Sequence, residues 1–98
     1  MQVHIFVFGK VTGVFFRAQM SQEARRVGVS GWVRNVYDRP DIFGNSPGVE
    51  AVIQGEKGNI DSMIRWLHTG SQMSEVHKVV VEPMDEKESF SLFEIRSP

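Results

Sequence analysis

The chain predicts an α+β sandwich in which two helices cover one face of an antiparallel sheet. Three observations carry that expectation: apolar runs of strand length alternate with two stretches of helical spacing, turn-forming residues mark every junction, and nothing repeats internally. "QVHIFVF" crowds β-branched and aromatic residues into a short run ending at Gly9, a first strand. From Phe16 to Val27 the residues Phe16, Met20, Ala24 and Val27 fall on one helical stripe, with Gln19, Gln22, Glu23, Arg25 and Arg26 elsewhere and Gly28 as the stop. "SGWVRNV" forms the second strand and, after a turn-rich stretch, "GVEAVIQG" the third. In "NIDSMIRWLHT" the residues Ile60, Met63, Ile64 and Leu67 share a helix face, with Asn59 as the expected N-cap and Gly70 beyond the end. "EVHKVVVE" makes the fourth strand, Pro83 ends it, and a short strand in "FSLFEIR" follows the charged turn "MDEKES".

The order is β-α-β-β-α-β with a short C-terminal strand, that of the split β-α-β or ferredoxin-like sandwich, and one domain over residues 1–98 is expected. In that topology the first two strands run the same way and the next two run back. Three connections then meet at one end of the sheet: the opening loop, the hairpin between the second and third strands, and "TGSQMSE".

Composition narrows the functions available. Eleven Lys and Arg against twelve Asp and Glu leave a net charge of -1, so an anion must be held by a local site and not by the field of the whole molecule. With no cysteine among the 98 residues, disulfides, thiolate metal sites and cysteine nucleophiles are excluded. The N-terminus has no basic lead or cleavage signal, and no stretch approaches the roughly 18 apolar residues of a membrane helix, so a cytoplasmic protein without membrane contact is expected. His4, His68 and His77 lack metal-ligand spacing, the serines have no nucleophile elbow, and Trp32 and Trp66 read as packing residues. The third strand offers no aromatic or basic residue, which argues against RNA binding on the sheet.

The segment "GKVTGVFFR", Gly9 to Arg17, joins the first strand to a helix N-terminus. Such a junction presents unpaired N–H groups to one point, Gly9 and Gly13 permit a tight turn, and Arg17 adds a planar fork suited to phosphate. Its spacing matches neither the nucleotide P-loop nor the dinucleotide fingerprint. An anion cradle and a plain strand-to-helix turn with a solvated arginine both fit the stretch taken alone.

"GKVTGVFFR" followed by "GWVRN" at Gly31 to Asn35 resembles the two signature motifs of the acylphosphatase family, and "GVEAVIQG", "MIRWL" and "FEIR" extend the resemblance along the chain. The resemblance implies a ferredoxin-like fold and hydrolysis of acyl phosphates to carboxylate and inorganic phosphate, with no metal or cofactor. It also implies roles for particular residues. The loop Thr12, Gly13, Val14, Phe15, Phe16 and Arg17 cradles the phosphate, Arg17 binds its oxygens, and Asn35 positions the attacking water. The partners expected are the acyl phosphate, inorganic phosphate as product and competing ligand, and no second subunit. A non-catalytic phosphate-binding module and a carbamoyl-phosphate hydrolase are the alternatives. Asn35 favours hydrolysis, since a binder has no use for an aligned water.

Two departures from the family pattern stand out. Thr12 occupies a loop position where glutamine is usual, which touches side-chain contacts but not a backbone cradle. After Asn35 the stretch "VYDRPDIFGNSPG" replaces a short turn. It is either a partial lid carrying Tyr37, Ile42 and Phe43 to the acyl group or a tolerated surface insertion.

Overall fold

A computed structural model describes residues 1–98. Along the chain come β1 (Gln2–Lys10), α1 (Phe16–Val27), β2 (Ser30–Val36), α2 (Pro40–Phe43), β3 (Gly48–Gln54), α3 (Lys57–Thr69), β4 (Glu75–Pro83) and β5 (Phe93–Arg96). The strands form one five-stranded sheet in the order β4-β1-β3-β2-β5. β3 is antiparallel to both β1 and β2, and β4 is antiparallel to β1, so β1 and β2 run together. This is the ferredoxin-like arrangement, with one correction: the sheet is mixed, because β5 lies parallel to β2 with Gly31 opposite Phe93 and Arg34 opposite Arg96.

The connection from β4 explains that direction. β4 ends at Pro83 on one edge, at the end of the sheet where β2 begins, and the chain crosses beneath that end before reaching the other edge. A strand entering beside the start of β2 must run with it. Two buried or half-buried amides hold the crossing in place: Gln2 Nε2 donates to Gln54 Oε1 (3.1 Å) and to the Glu88 carbonyl (3.0 Å), while the Phe90 N–H donates to Gln54 Oε1 (3.2 Å). The Gly31 N–H then donates to the Leu92 carbonyl (2.9 Å). At Gly31, with φ 133°, a Cβ would run into the Val52 carbonyl oxygen, so the close approach of β2 to β3 requires glycine.

Strand alternation sends Val3, Ile5 and Val7 of β1, Val33 of β2, and Val49, Ala51 and Ile53 of β3 to the face the helices cover. Phe16, Met20 and Ala24 meet them from α1, as do Ile60, Met63 and Leu67 from α3. Removing each large side chain of this set from water contributes about 1.5–3 kcal/mol. The Phe16 ring also lies 5.6 Å from Trp66, which fixes α1 against α3. α1 ends as expected, with Gly28 in the left-handed region and its N–H donating to the Ala24 carbonyl. α3 starts three residues earlier than an N-cap at Asn59 predicts: Glu56 is the N-cap, in extended conformation and without a side-chain hydrogen bond.

The other face of the sheet carries a charged cluster. Glu50 is buried, and His4 Nε2 donates to its Oε2 (2.6 Å) while Arg34 Nε and Nη2 reach its Oε1 at 2.7 and 2.6 Å. Burial alone raises the Glu50 carboxyl, but the hydrogen bonds from His4 and Arg34, together with the Arg34 charge, bring it below its ordinary value of 4.5. A carboxylate with a lowered folded value stabilises the fold above the unfolded value and loses that contribution as pH falls through the folded one. Glu50→Gln is expected to lower Tm by about 5–10 °C at neutral pH. Thermal melts of both proteins should converge as the pH drops below 4.5, and a gap that stays constant to acid pH would refute the role given to the Glu50 charge.

The insertion after Asn35 folds onto this same face. Val36 pairs with Gly48 and closes the β2–β3 hairpin, so the intervening residues leave the sheet together. Arg39 and Asp41 pair at 3.0 and 2.9 Å, α2 follows, and Phe43 is buried with its ring 4.8 Å from Phe8 and 6.0 Å from Phe6. Phe43 therefore does not reach the acyl side of any site at the start of α1. The Phe6 and Phe8 side chains, alternating away from the helices, attract it to the opposite face.

Candidate active site

β1 delivers the chain to the end of the sheet, and the segment from Val11 to Phe15 turns it into α1. Gly9 sits inside β1, at a register shift against β4, so the turn itself depends on Gly13 and Phe15. Gly13 has φ 70°, and Phe15, at φ 60° and ψ 19°, is the one non-glycine residue with positive φ. Holding a bulky side chain in the left-handed region costs about 1–3 kcal/mol and is kept where function uses the geometry. The result is alternation of left-handed residues ahead of a helix, a concavity of successive N–H groups. Phe15 also serves as the N-cap of α1 without any side-chain cap, and none of the N–H groups from Thr12 to Ala18 donates to a protein acceptor. These donors are free to serve an anion, and the positive end of the helix dipole adds to them.

Arg17 stands in the first turn of α1. Its Nη1 makes one long contact, 3.4 Å to the Arg96 carbonyl, and no carboxylate pairs with it. Most of its donor fork is uncommitted. Asn35, two residues beyond Val33 on β2, points to the helix-covered face by strand alternation and is only 5% exposed. Its Nδ2 donates to the Tyr37 hydroxyl (3.0 Å), while its Oδ1 is buried without a partner. A buried amide oxygen left unpaired costs about 1–3 kcal/mol, and such groups collect where a ligand or water is handled.

The loop, Arg17 and Asn35 border one pocket of about 300 Å³, lined by Val11, Gly13, Phe15, Phe16, Arg17, Ala18, Asn35 and Ile95. Of the residues singled out from the sequence, Gly13, Phe15, Phe16, Arg17 and Asn35 meet here. Thr12 and Val14 belong to the loop but do not line the pocket, and Val14 packs against the core. The connection "TGSQMSE" also stays away from the pocket: its Ser74 Oγ donates to the Ser71 carbonyl (2.9 Å) within its own turn. β5 supplies what the sequence reading missed, the Ile95 side chain as a wall and the Arg96 carbonyl beside Arg17. Its signal was the alternation of Phe93 and Ile95, which becomes informative only once β5 is placed parallel to β2. No three His, Asp or Glu side chains gather as a metal-binding group, and no helix is long and apolar enough to cross a membrane.

The family model for acylphosphatase matches residues 3–95, which takes in every strand and helix around the pocket. The chain belongs to the acylphosphatase family. An acylphosphatase of Rubrobacter xylanophilus is 41% identical over 95 residues, covering 97% of this chain and 79% of the relative. One from Haloquadratum walsbyi is 43% identical, with 97% and 92% covered. The solved structure of an acylphosphatase from Coxiella burnetii superposes with a TM-score of 0.84 at 33% identity, covering 97% of this chain and 90% of that one. Homology of this extent places the protein among acylphosphatase enzymes.

Proposed function

We propose that the protein hydrolyses acyl phosphates by in-line attack of a water held by Asn35 on a phosphoryl group held by the α1 cradle and Arg17. The observation that carries this reading is that residues with uncommitted groups meet at one pocket: the loop with its free N–H groups, Arg17 with its open fork and Asn35 with its unpaired Oδ1. The N–H groups from Gly13 to Arg17 and the guanidinium take the phosphoryl oxygens, whose charge the transition state redistributes. Oδ1 accepts one proton of the water and leaves a lone pair directed at phosphorus. The P–O bond to the acyl group breaks, the carboxylate departes as a stable anion without needing a general acid, and the water's proton passes to the phosphate being formed. Phe15 and Ile95, 75% and 48% exposed, offer an apolar border for the acyl substituent.

Steady-state assays on benzoyl, acetyl and carbamoyl phosphate test this. We expect all to be hydrolysed, with kcat/KM highest for benzoyl phosphate because its ring covers the Phe15 and Ile95 surface, and with inorganic phosphate as a competitive inhibitor. Binding of phosphate without turnover of any of the three would mark a binding module and overturn the hydrolytic reading.

A further inference from the structure

The Asn35 amide has two chemically opposite ends, and only one of them helps a nucleophile. A water attacking phosphorus needs an acceptor for its proton and an unencumbered lone pair; an amide N–H turned toward it would engage that lone pair and weaken the attack. The two orientations of the amide are nearly identical in shape, so hydrogen bonding must choose between them. Asn35 makes one side-chain hydrogen bond, Nδ2–H to the Tyr37 hydroxyl at 3.0 Å, and its Oδ1 has no partner. Building on the water-holding reading of Asn35 above, we infer that Tyr37 is a positioning residue whose hydroxyl takes the Nδ2 end and leaves Oδ1 for the nucleophilic water.

Three features of the site support the choice of this orientation. Tyr37 is 60% exposed, so its own O–H has solvent as an acceptor and its oxygen lone pairs are free for Nδ2. The reverse orientation would bury two amide protons without partners, and orphaned buried N–H groups are rarer than under-satisfied carbonyl oxygens. Position also follows from the fold: two residues beyond Asn35, Tyr37 lies on the same side of the chain, immediately past the Val36–Gly48 pair that closes the hairpin. The segment it starts is tied down by the Arg39–Asp41 pair and by Phe43 against Phe6 and Phe8. The insertion thus bears on the reaction through Tyr37, from behind Asn35, and not as a cover over the substrate.

The test is a double-mutant cycle on the full chain with benzoyl phosphate. Tyr37→Phe keeps the ring and its exposure, so the fold should be retained with Tm only slightly lowered by the acceptor that Nδ2 loses, while kcat falls about tenfold and KM stays within about twofold. In an Asn35→Ala background the same substitution should change kcat by less than about twofold, because the group it positions is gone. A Tyr37→Phe enzyme with wild-type kcat, alongside a slow Asn35→Ala enzyme, overturns the role of Tyr37 and leaves that of Asn35 standing. An equal tenfold loss in both backgrounds also overturns it, since Tyr37 would then act on something other than Asn35. Wild-type kcat in Asn35→Ala overturns both.

Discussion

Replacing Arg17 by Gln is expected to lower kcat/KM by roughly 10³ and to abolish most of the inhibition by inorganic phosphate. Glutamine retains length and an amide donor but lacks the charge and the fork that engage two phosphoryl oxygens together. Both binding and turnover should suffer, because the guanidinium meets phosphate charge in the substrate and in the transition state. The loss is also free of structural side effects. Arg17 is tied to the protein by a single 3.4 Å contact, and its side chain pairs with no carboxylate, so Tm should hold. Arg17→Lys, which keeps charge without the fork, should fall between the two. Steady-state kinetics with a thermal melt of each variant decides the matter: a folded Arg17→Gln enzyme within tenfold of wild type would remove Arg17 from the machinery.

Asn35→Ala is expected to behave differently, with kcat lower by roughly 10²–10³, KM within about twofold and phosphate inhibition intact. The phosphoryl group keeps its cradle, and only the alignment of the water is lost. Stability gives the same variant a second signature of opposite sign. Oδ1 is buried with no partner, and Nδ2 bonds a hydroxyl that solvent can satisfy, so truncation removes an unsatisfied group and Tm should stay level or rise. A residue kept for packing would show the reverse pattern. Unchanged kcat in Asn35→Ala would refute the water-holding role.

Periodicity and punctuation made most of this architecture legible. The stripe from Phe16 to Val27 and the stop at Gly28 delimit α1 as found, because a helix that covers a core must repeat its apolar residues at its own pitch. Local signals were weaker where the backbone itself makes the cap: Glu56, not Asn59, opens α3, with no side-chain bond to announce it. Sequence patterns also do not state strand direction, so β5, and with it Ile95 and the Arg96 carbonyl, was invisible as part of the site. The turn composition of the insertion was plain, but not the face on which it lands, although Phe6 and Phe8 on the uncovered side of β1 were waiting for an apolar cover. Arg17 and Asn35 were legible through their flanking motifs. Tyr37 was read only as part of a lid or of a surface insertion, although its spacing of two from Asn35 at a strand end already placed the two side chains together.

The pairing of β2 with β5 joins Gly31 to Phe93, and it also erects the wall of the pocket. A chain with both long helices formed and β1, β3 and β4 already zipped would still lack Ile95 and the carbonyl beside Arg17. A complete site therefore requires the C-terminal strand to dock, and turnover counts only the molecules in which it has.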